Sequence, residues 1–356
     1  MVKDNPIYSP ADFKTFILNP DFRSSIKHIL IIRPGAIGDV IVTLPTIGAI
    51  RKHFHNARIE IMGYTSFLEI TNGRFYADKV SRFDRADVAA LFVKNYEMPV
   101  HLTRRFNVFD IVISFVSDKE QIFTENLKNA GARHVINYNP FPCDKERIHI
   151  VDHFLKLLDL LNIPRLNNFP KIFLCDEEIR FGDKYIKDNI ANLKKMLVAI
   201  HPGSGSRQKC WPVERFAELI TRLNDEMDAQ IFIVSGPADS EIVESLKTLV
   251  KRRIIVADQF PLPKLAAVIK RCNLFIGNDS GIMHLTAAVG TPTIGIFGAT
   301  DPEVWAPRGE HVKILFNKVR CSPCVQDVRR NCFSQICMGN ITVENVIHEI
   351  KNVYRY

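Results

Sequence analysis

Residues 277–298 read GNDSGIMHLTAAVGTPTIGIFG, and the order of residue types in this stretch decides the fold. The apolar run Cys272 to Ile276 just before it predicts a buried strand, the Ala-rich segment from Ser280 onward a helix, and Thr293 to Phe297 the next strand. Strand, polar turn, helix and strand in so few residues make a β-turn-α-β unit, the building block of a parallel sheet. Asn278-Asp279-Ser280-Gly281 stands where strand gives way to helix, a position at which a chain either caps a helix or holds a ligand.

The same alternation extends in both directions. His28 to Arg33, Arg58 to Met62, Ile111 to Phe115 and Val135 to Asn137 read as strands, with helices at Asp39 to His53 and Asp152 to Leu161. After the Pro- and Asn-rich crossing Ile163 to Pro170, strands recur at Met196 to Ile200, Gln230 to Val234, Arg253 to Val256 and Leu274 to Ile276. Two Rossmann-like, doubly wound α/β domains in tandem follow, at residues 27–168 and 169–340. An N-terminal extension, 1–26, carries a short helix with Phe13, Phe16 and Ile17 on one face, and a last amphipathic helix lies in 341–356. A chain of 356 residues exceeds what one hydrophobic core usually serves, which fits two domains.

Composition narrows the class. With 46% apolar and 24% charged residues the chain is ordinary globular protein, and no run approaches the ~18 apolar residues of a membrane span. The N-terminus scatters charge where an export signal needs an apolar core, which predicts a cytoplasmic protein. The net charge of +8 is spread evenly, 22 basic against 18 acidic residues in 1–165 and 25 against 21 in the remainder. A polyanion-gripping arm would concentrate it, so no nucleic-acid partner is expected, while weak attraction to anionic lipid is.

Ligands of open α/β sheets sit beyond the carboxyl ends of the strands, and three loops there are unusual. After Ile200 comes His201-Pro-Gly-Ser-Gly-Ser-Arg-Gln-Lys209, in which Gly203 and Gly205 permit close backbone approach, Ser204 offers a hydroxyl, and Arg207 and Lys209 bring positive charge. This suits a phosphate, although a glycine turn with solvated bases fits the same residues. In the opening stretch, the first N–H groups of the helix at Ser280-Gly281 lack intrahelical partners and favour an anion. The dipole alone is worth only ~0.3–1 kcal/mol, so Lys209 is the natural second contact and His284, one turn along, a third; for Asp279 taken alone, helix capping fits better. The third loop, Arg33-Pro-Gly-Ala-Ile-Gly38-Asp39, lacks the G-x-G-x-x-G of dinucleotide sites and delivers a carboxylate, Asp39, to the rim, as a reactive group or as a helix cap. A carboxylate on one domain and a phosphate cradle on the other predict group transfer from an activated phosphate ester across a cleft.

These loops, in this order, resemble the ADP-heptose:lipopolysaccharide heptosyltransferase family, glycosyltransferase family 9. The resemblance rests on Ile32-Arg-Pro-Gly-Ala-Ile-Gly-Asp39-Val-Ile-Val-Thr-Leu-Pro45, on His201-Pro-Gly-Ser-Gly with Lys209-x-Trp-Pro-x-Glu-Arg-Phe216, and on Asn278-Asp-Ser-Gly-x-x-His-Leu-x-Ala287 with Phe297-Gly-Ala-Thr-Asp-Pro302. It implies a GT-B fold, with an acceptor domain first and a donor domain second, and an inverting glycosyltransferase that needs no catalytic metal. It implies that Asp39 is the general base, that Lys209 meets the donor phosphates, and that Asp279, Ser280, Gly281 and His284 surround the diphosphate and sugar. The resemblance further implies an acidic ribose contact after the strand ending near Gly236, where members of the family often have one; here Asp239 and Glu241 flank the matching position, which holds Ser240.

The implied substrates are ADP-heptose and an anionic glycolipid, the lipopolysaccharide core, met by peripheral contact at the cytosolic face of the inner membrane. The alternatives are a relative with another nucleotide sugar or a protein or polysaccharide acceptor, and, in another class, a non-catalytic nucleotide-sugar or metal-binding module. Cys321, Cys324, Cys332 and Cys337, spaced C-x2-C-x7-C-x4-C, could hold structural zinc or iron, or remain free thiols. Cysteine segments recur near the C-terminus of many members of this family, which favours a structural role. The final helix, Val343 to Val353, is expected to cross back onto the first domain, as the C-terminus does in many GT-B proteins.

Overall fold

The computed structural model describes residues 20–143, 146–190, 192–252, 254–324 and 331–353, so the face of Phe13, Phe16 and Ile17 lies outside the described residues. The chain divides into two compact units, Met1–Phe173 and Leu174–Tyr356.

The first unit is built on a parallel sheet of β1 (His28–Ile32), β2 (Arg58–Gly63), β3 (Lys79–Arg82), β4 (Ile111–Ser114) and β5 (His134–Asn137), in the order β3-β2-β1-β4-β5. Ile29, Leu30, Ile31 and Ile32 are fully buried, because the middle strand of a parallel sheet is covered on both faces and every side chain must be apolar. The long helix Ile37–His53 is buried from Val40 to Ile50 and packs on Ile150–Leu160.

The second sheet comprises β6 (Leu197–His201), β7 (Gln230–Ser235), β8 (Ile255–Asp258), β9 (Leu274–Asn278), β10 (Thr293–Phe297) and β11 (Val312–Phe316), all parallel, in the order β11-β10-β9-β6-β7-β8. Its core joins Trp211, Phe216, Leu219 and Leu223 to Ile200, Ile233 and Ile276. The C-terminal helix Val343–Val353 sends Val343, Val346, Ile347 and Ile350 into this same core, so its apolar face is occupied by the second unit.

Two strands, β3 and β11, escape the sequence pattern. Both are edge strands, and Lys79-Val-Ser-Arg82 and Val312-Lys-Ile-Leu-Phe316 are only partly buried, which removes the continuous apolar run that marks a central strand. β8 begins two residues later than Arg253. No described helix is long and apolar enough to cross a membrane.

Strand order locates the sites. In the first sheet the chain runs from β1 outward to β3 and returns to β4 on the other side of β1; in the second it runs from β6 outward to β8 and returns to β9. At such a reversal the loops leaving neighbouring strands diverge to opposite faces and open a crevice at their carboxyl ends. The loop 33–39 leaves β1 at the first reversal. The loops 202–212 and 279–280 leave β6 and β9 at the second.

Candidate active site

Asn278, the last residue of β9 and wholly buried, ties the second unit's loops together. Its side-chain amide donates to the carbonyls of Pro202 (2.7 Å) and Gly203 (3.3 Å) and its Oδ1 accepts from the Trp211 backbone N–H at 2.9 Å, so the loop after β6 is pinned at both ends. Trp211 is in turn fully buried, with its indole N–H on the Ile341 carbonyl. Ser204 Oγ donates to the Asp279 carbonyl at 2.7 Å, fastening the same loop to the turn after β9.

Within this frame Lys209 Nζ lies 2.7 Å from Asp279 Oδ2, and Thr300 Oγ1 donates to the same oxygen at 2.5 Å. The Asp279 side chain is 8% exposed and that of Lys209 23%. Asp279 therefore does not cap the helix Gly281–Val289. Ser280 does, its hydroxyl accepting from the Met283 N–H at 3.4 Å, while Asp279 holds the lysine. An ammonium has three hydrogens, and the ion pair fixes its direction while leaving others for a ligand.

A second network lies behind Ser280. His201, at the end of β6 and 3% exposed, has Nδ1 3.1 Å from Ser280 Oγ and Nε2 3.1 Å from Asp239 Oδ2. The same Asp239 oxygen accepts from the Gly236 N–H at 2.8 Å. Burial pushes the Asp239 carboxyl up, but the hydrogen bonds from His201 and the Gly236 amide work against it, and the group lies below its ordinary range. Asp239 is thus turned inward onto His201, while Glu241, at the start of the next helix, is exposed.

Gly203 owes its identity to this carboxylate. A Cβ there would fall on the Asp239 side chain, which His201 and Gly236 prevent from stepping aside. Gly203→Ala is expected to cost about 1–3 kcal/mol, the range for overpacking a filled site, measurable as an earlier urea unfolding midpoint; unchanged stability would show that Asp239 can move. A Cβ on Gly205 would meet open space. Arg207 is exposed, its carbonyl accepting from the Gln335 amide at 3.4 Å, and His284 is buried in the helix Gly281–Val289.

In the first unit Asp39 is not the N-cap of the helix Ile37–His53 but its third residue. Ala36 is the cap, and Asp39 Oδ2 accepts from the Ala36 N–H at 2.9 Å. Gly35, at φ 145°, makes the room: a Cβ there would lie 2.8 Å from Asp39 Cβ and 2.9 Å from Oδ2. Beneath sits Arg33, 4% exposed, donating through Nε to the Asp39 carbonyl (3.1 Å) and Thr43 Oγ1 (2.9 Å), through Nη1 to the Pro34 carbonyl, and through Nη2 to Asp39 Oδ1 at 3.4 Å. Its guanidinium lies 5.0 Å over the Phe154 ring. Burial brings Arg33 down to about 10, against the opposing charge and hydrogen bond of Asp39, so it stays cationic at neutral pH. Asp39 keeps 36% exposure and faces outward on this rigid base.

The four clustered cysteines are not arranged as a metal centre among the described residues. Cys321 is exposed, Cys324 and Cys332 are half-buried and Cys337 is buried, and among the described residues no group of three or more His, Cys, Asp or Glu side chains is placed to hold a metal ion. Tetrahedral zinc needs four donors about 2.0–2.3 Å from one point. Cys337 is packed under Gly298 beside Met338, and burial pushes its thiol up. The expected structural zinc or iron is therefore unsupported.

With this geometry in hand, the comparisons are specific. The sequence pattern of glycosyltransferase family 9 (heptosyltransferase) matches residues 123–332. Lipooligosaccharide heptosyltransferase 2 of Campylobacter jejuni is 24% identical over 340 residues, covering 92% of this chain and 98% of that protein. Among solved structures, the glycosyl transferase family 9 protein from Veillonella parvula superposes with a TM-score of 0.76 at 22% identity, over 92% of this chain and 97% of its own. The E. coli heptosyltransferase WaaC with ADP superposes at 0.63 and 17% identity, over 92% and 100%. At these identities the likeness shows the fold, which is GT-B. Two Rossmann-like units, each with a crevice at its strand reversal, together with a family pattern spanning more than half of the sequence, establish that this chain is a glycosyltransferase belonging to glycosyltransferase family 9 (heptosyltransferase).

Proposed function

We propose that the protein moves a heptose from ADP-heptose to a hydroxyl of a lipopolysaccharide core acceptor, with inversion and without a catalytic metal. The observation that carries this reading is the Lys209 ammonium held by Asp279 at the start of the helix Gly281–Val289, at the carboxyl-end crevice of the second sheet. A cation and a set of helix amides directed at one place suit a diphosphate leaving group. The names of the relatives support the sugar, and that of the ADP-bound E. coli neighbour supports the base.

In this mechanism Asp39 takes the proton of the acceptor hydroxyl. The acceptor oxygen attacks the anomeric carbon from the face opposite the diphosphate, through an oxocarbenium-like transition state, and the bond to the diphosphate oxygen breaks. The charge that appears on that oxygen meets Lys209 and the first amides of the helix, which need no rearrangement to receive it. Gly281 and His284 border the donor, Arg33 holds Asp39 in place, and Lys209 supplies the positive charge at the diphosphate. An acceptor anchored in lipid would bring the protein to the cytosolic face of the inner membrane, for which the evenly spread charge of +8 is suited.

The test is the melting temperature with ADP, UDP, GDP and NAD in turn, without Mg²⁺. A nucleotide at 100 times its Kd adds about 2.7 kcal/mol to the folded state, and ADP alone is expected to raise the midpoint. A rise with UDP or GDP instead would replace the donor, and a rise with none of the four would overturn the reading.

A further inference from the structure

His201 is the most buried charged-capable group near the crevice, and the chemistry described so far gives it no task. Its two contacts determine where its hydrogens are. A carboxylate only accepts, so with Asp239 ionised the ring carries a hydrogen on Nε2 and donates it to Asp239 Oδ2 at 3.1 Å. In a neutral ring Nδ1 is then a lone pair, and the Ser280 hydroxyl, 3.1 Å away, must be its donor. Ser280 Oγ also accepts from the Met283 N–H. The single hydroxyl hydrogen is committed inward, so in this state the Ser280 oxygen offers an arriving phosphate only lone pairs, which repel it.

We infer that His201 is a proton-coupled positioning residue: a diphosphate bound at the start of the helix Gly281–Val289 draws one proton from solvent onto Nδ1, which then donates to Ser280 Oγ and frees the hydroxyl hydrogen for a phosphate oxygen. No other bond is made or broken. Asp239 stays ionised and becomes the counter-ion of the imidazolium, and it can do so because the Gly236 amide already fixes its oxygen. This rests on the reading of the Ser280 turn as a diphosphate site. The other titratable or charged groups on the surrounding elements are Arg207 and the Lys209–Asp279 pair on the loops after β6 and β9, His284 on the helix Gly281–Val289, Glu241 on the helix after β7, and Asp258 on β8, which accepts from Ser235. The Cys210 thiol on the loop after β6 is pushed up by burial and by Asp239, and stays neutral.

The experiment is calorimetric titration of the whole protein with ADP, without Mg²⁺, in two buffers of different ionisation enthalpy between pH 6.5 and 8. Wild type is expected to take up a proton, so that its affinity for ADP falls as pH rises, by up to tenfold per unit where a full proton is bound. His201→Gln keeps an amide donor for Asp239 but cannot be protonated, and Ser280→Ala keeps the histidine but removes the hydroxyl. Both are expected to lose the uptake and the pH dependence. Free ADP titrates identically in all three experiments, and His201→Gln alone removes the histidine's own ionisation. Equal uptake in wild type and His201→Gln, or uptake retained in Ser280→Ala, would overturn the inference and leave the diphosphate site standing. Should His201→Gln fail to fold, the comparison with Ser280→Ala alone decides. A folded wild type that binds none of ADP, UDP and GDP would overturn both; one that binds UDP or GDP instead is titrated with that nucleotide.

Discussion

Asp39→Asn is expected to abolish transfer while leaving the fold and nucleotide binding intact. The loss should be on the order of 10²–10⁴ in rate, the share that a positioned general base contributes. The structure makes this substitution a clean test. An asparagine carbonyl can still accept from the Ala36 N–H, so the start of the helix Ile37–His53 survives. Arg33 keeps its bonds to the Asp39 main-chain carbonyl, Thr43 and Pro34, and loses only the ion pair at 3.4 Å, its longest contact. What the amide cannot do is accept a proton from a sugar hydroxyl. Product formation in a single turnover, measured beside the ADP-induced rise in melting temperature, separates the two roles. A lower melting point with weakened ADP binding would mark the carboxylate as structural, and a rate within a few-fold of wild type would place the base elsewhere.

Lys209→Ala should raise the barrier by about 3 kcal/mol, comparable with losing one donor to a developing oxyanion, which is roughly a hundredfold in rate. The effect should extend to binding. Without the ammonium, Asp279 becomes a buried carboxylate whose remaining side-chain contact is Thr300, directly beside the position proposed for the diphosphate. The variant therefore exchanges an attraction for a repulsion, and ADP affinity should fall together with kcat. Adding Asp279→Asn removes the repulsion without restoring the cation, so the double variant is expected to regain part of the ADP affinity and none of the rate. Activity of Lys209→Ala within a few-fold of wild type would remove the lysine from the mechanism, and a double variant no better at binding ADP than the single one would show that Asp279 does not face the nucleotide.

Both predictions concern residues legible from the sequence, and the residues that were not legible share a property. Lys209 lies in the loop after β6 and Asp39 in the first turn of the helix after β1, where glycine and charge stand out against apolar runs. Arg33, His201, Asn278 and Thr300 lie in the same motifs, yet nothing in the order of residues says that Arg33 turns under its own loop or that His201 reaches Asp239, 38 positions away. Asp239 is the instructive case. By position after β7 it resembles a ribose ligand, but the approach of the β6 loop, possible only because residue 203 is glycine, brings His201 to it and turns it inward.

The sequence by itself determined the central strands, the two-unit plan and the three loops that matter, because a strand buried on both faces must be apolar throughout and a turn at its end must be polar or glycine. Only the tertiary structure decided which partner each polar side chain takes. It gave Asp279 to Lys209 rather than to a helix cap, put Ser280 in the cap instead, added the partly buried edge strands β3 and β11, and sent Cys337 into the core. Period and composition are properties of neighbours along the chain, whereas hydrogen-bond partners are chosen among groups that meet only after the sheet has set their distance.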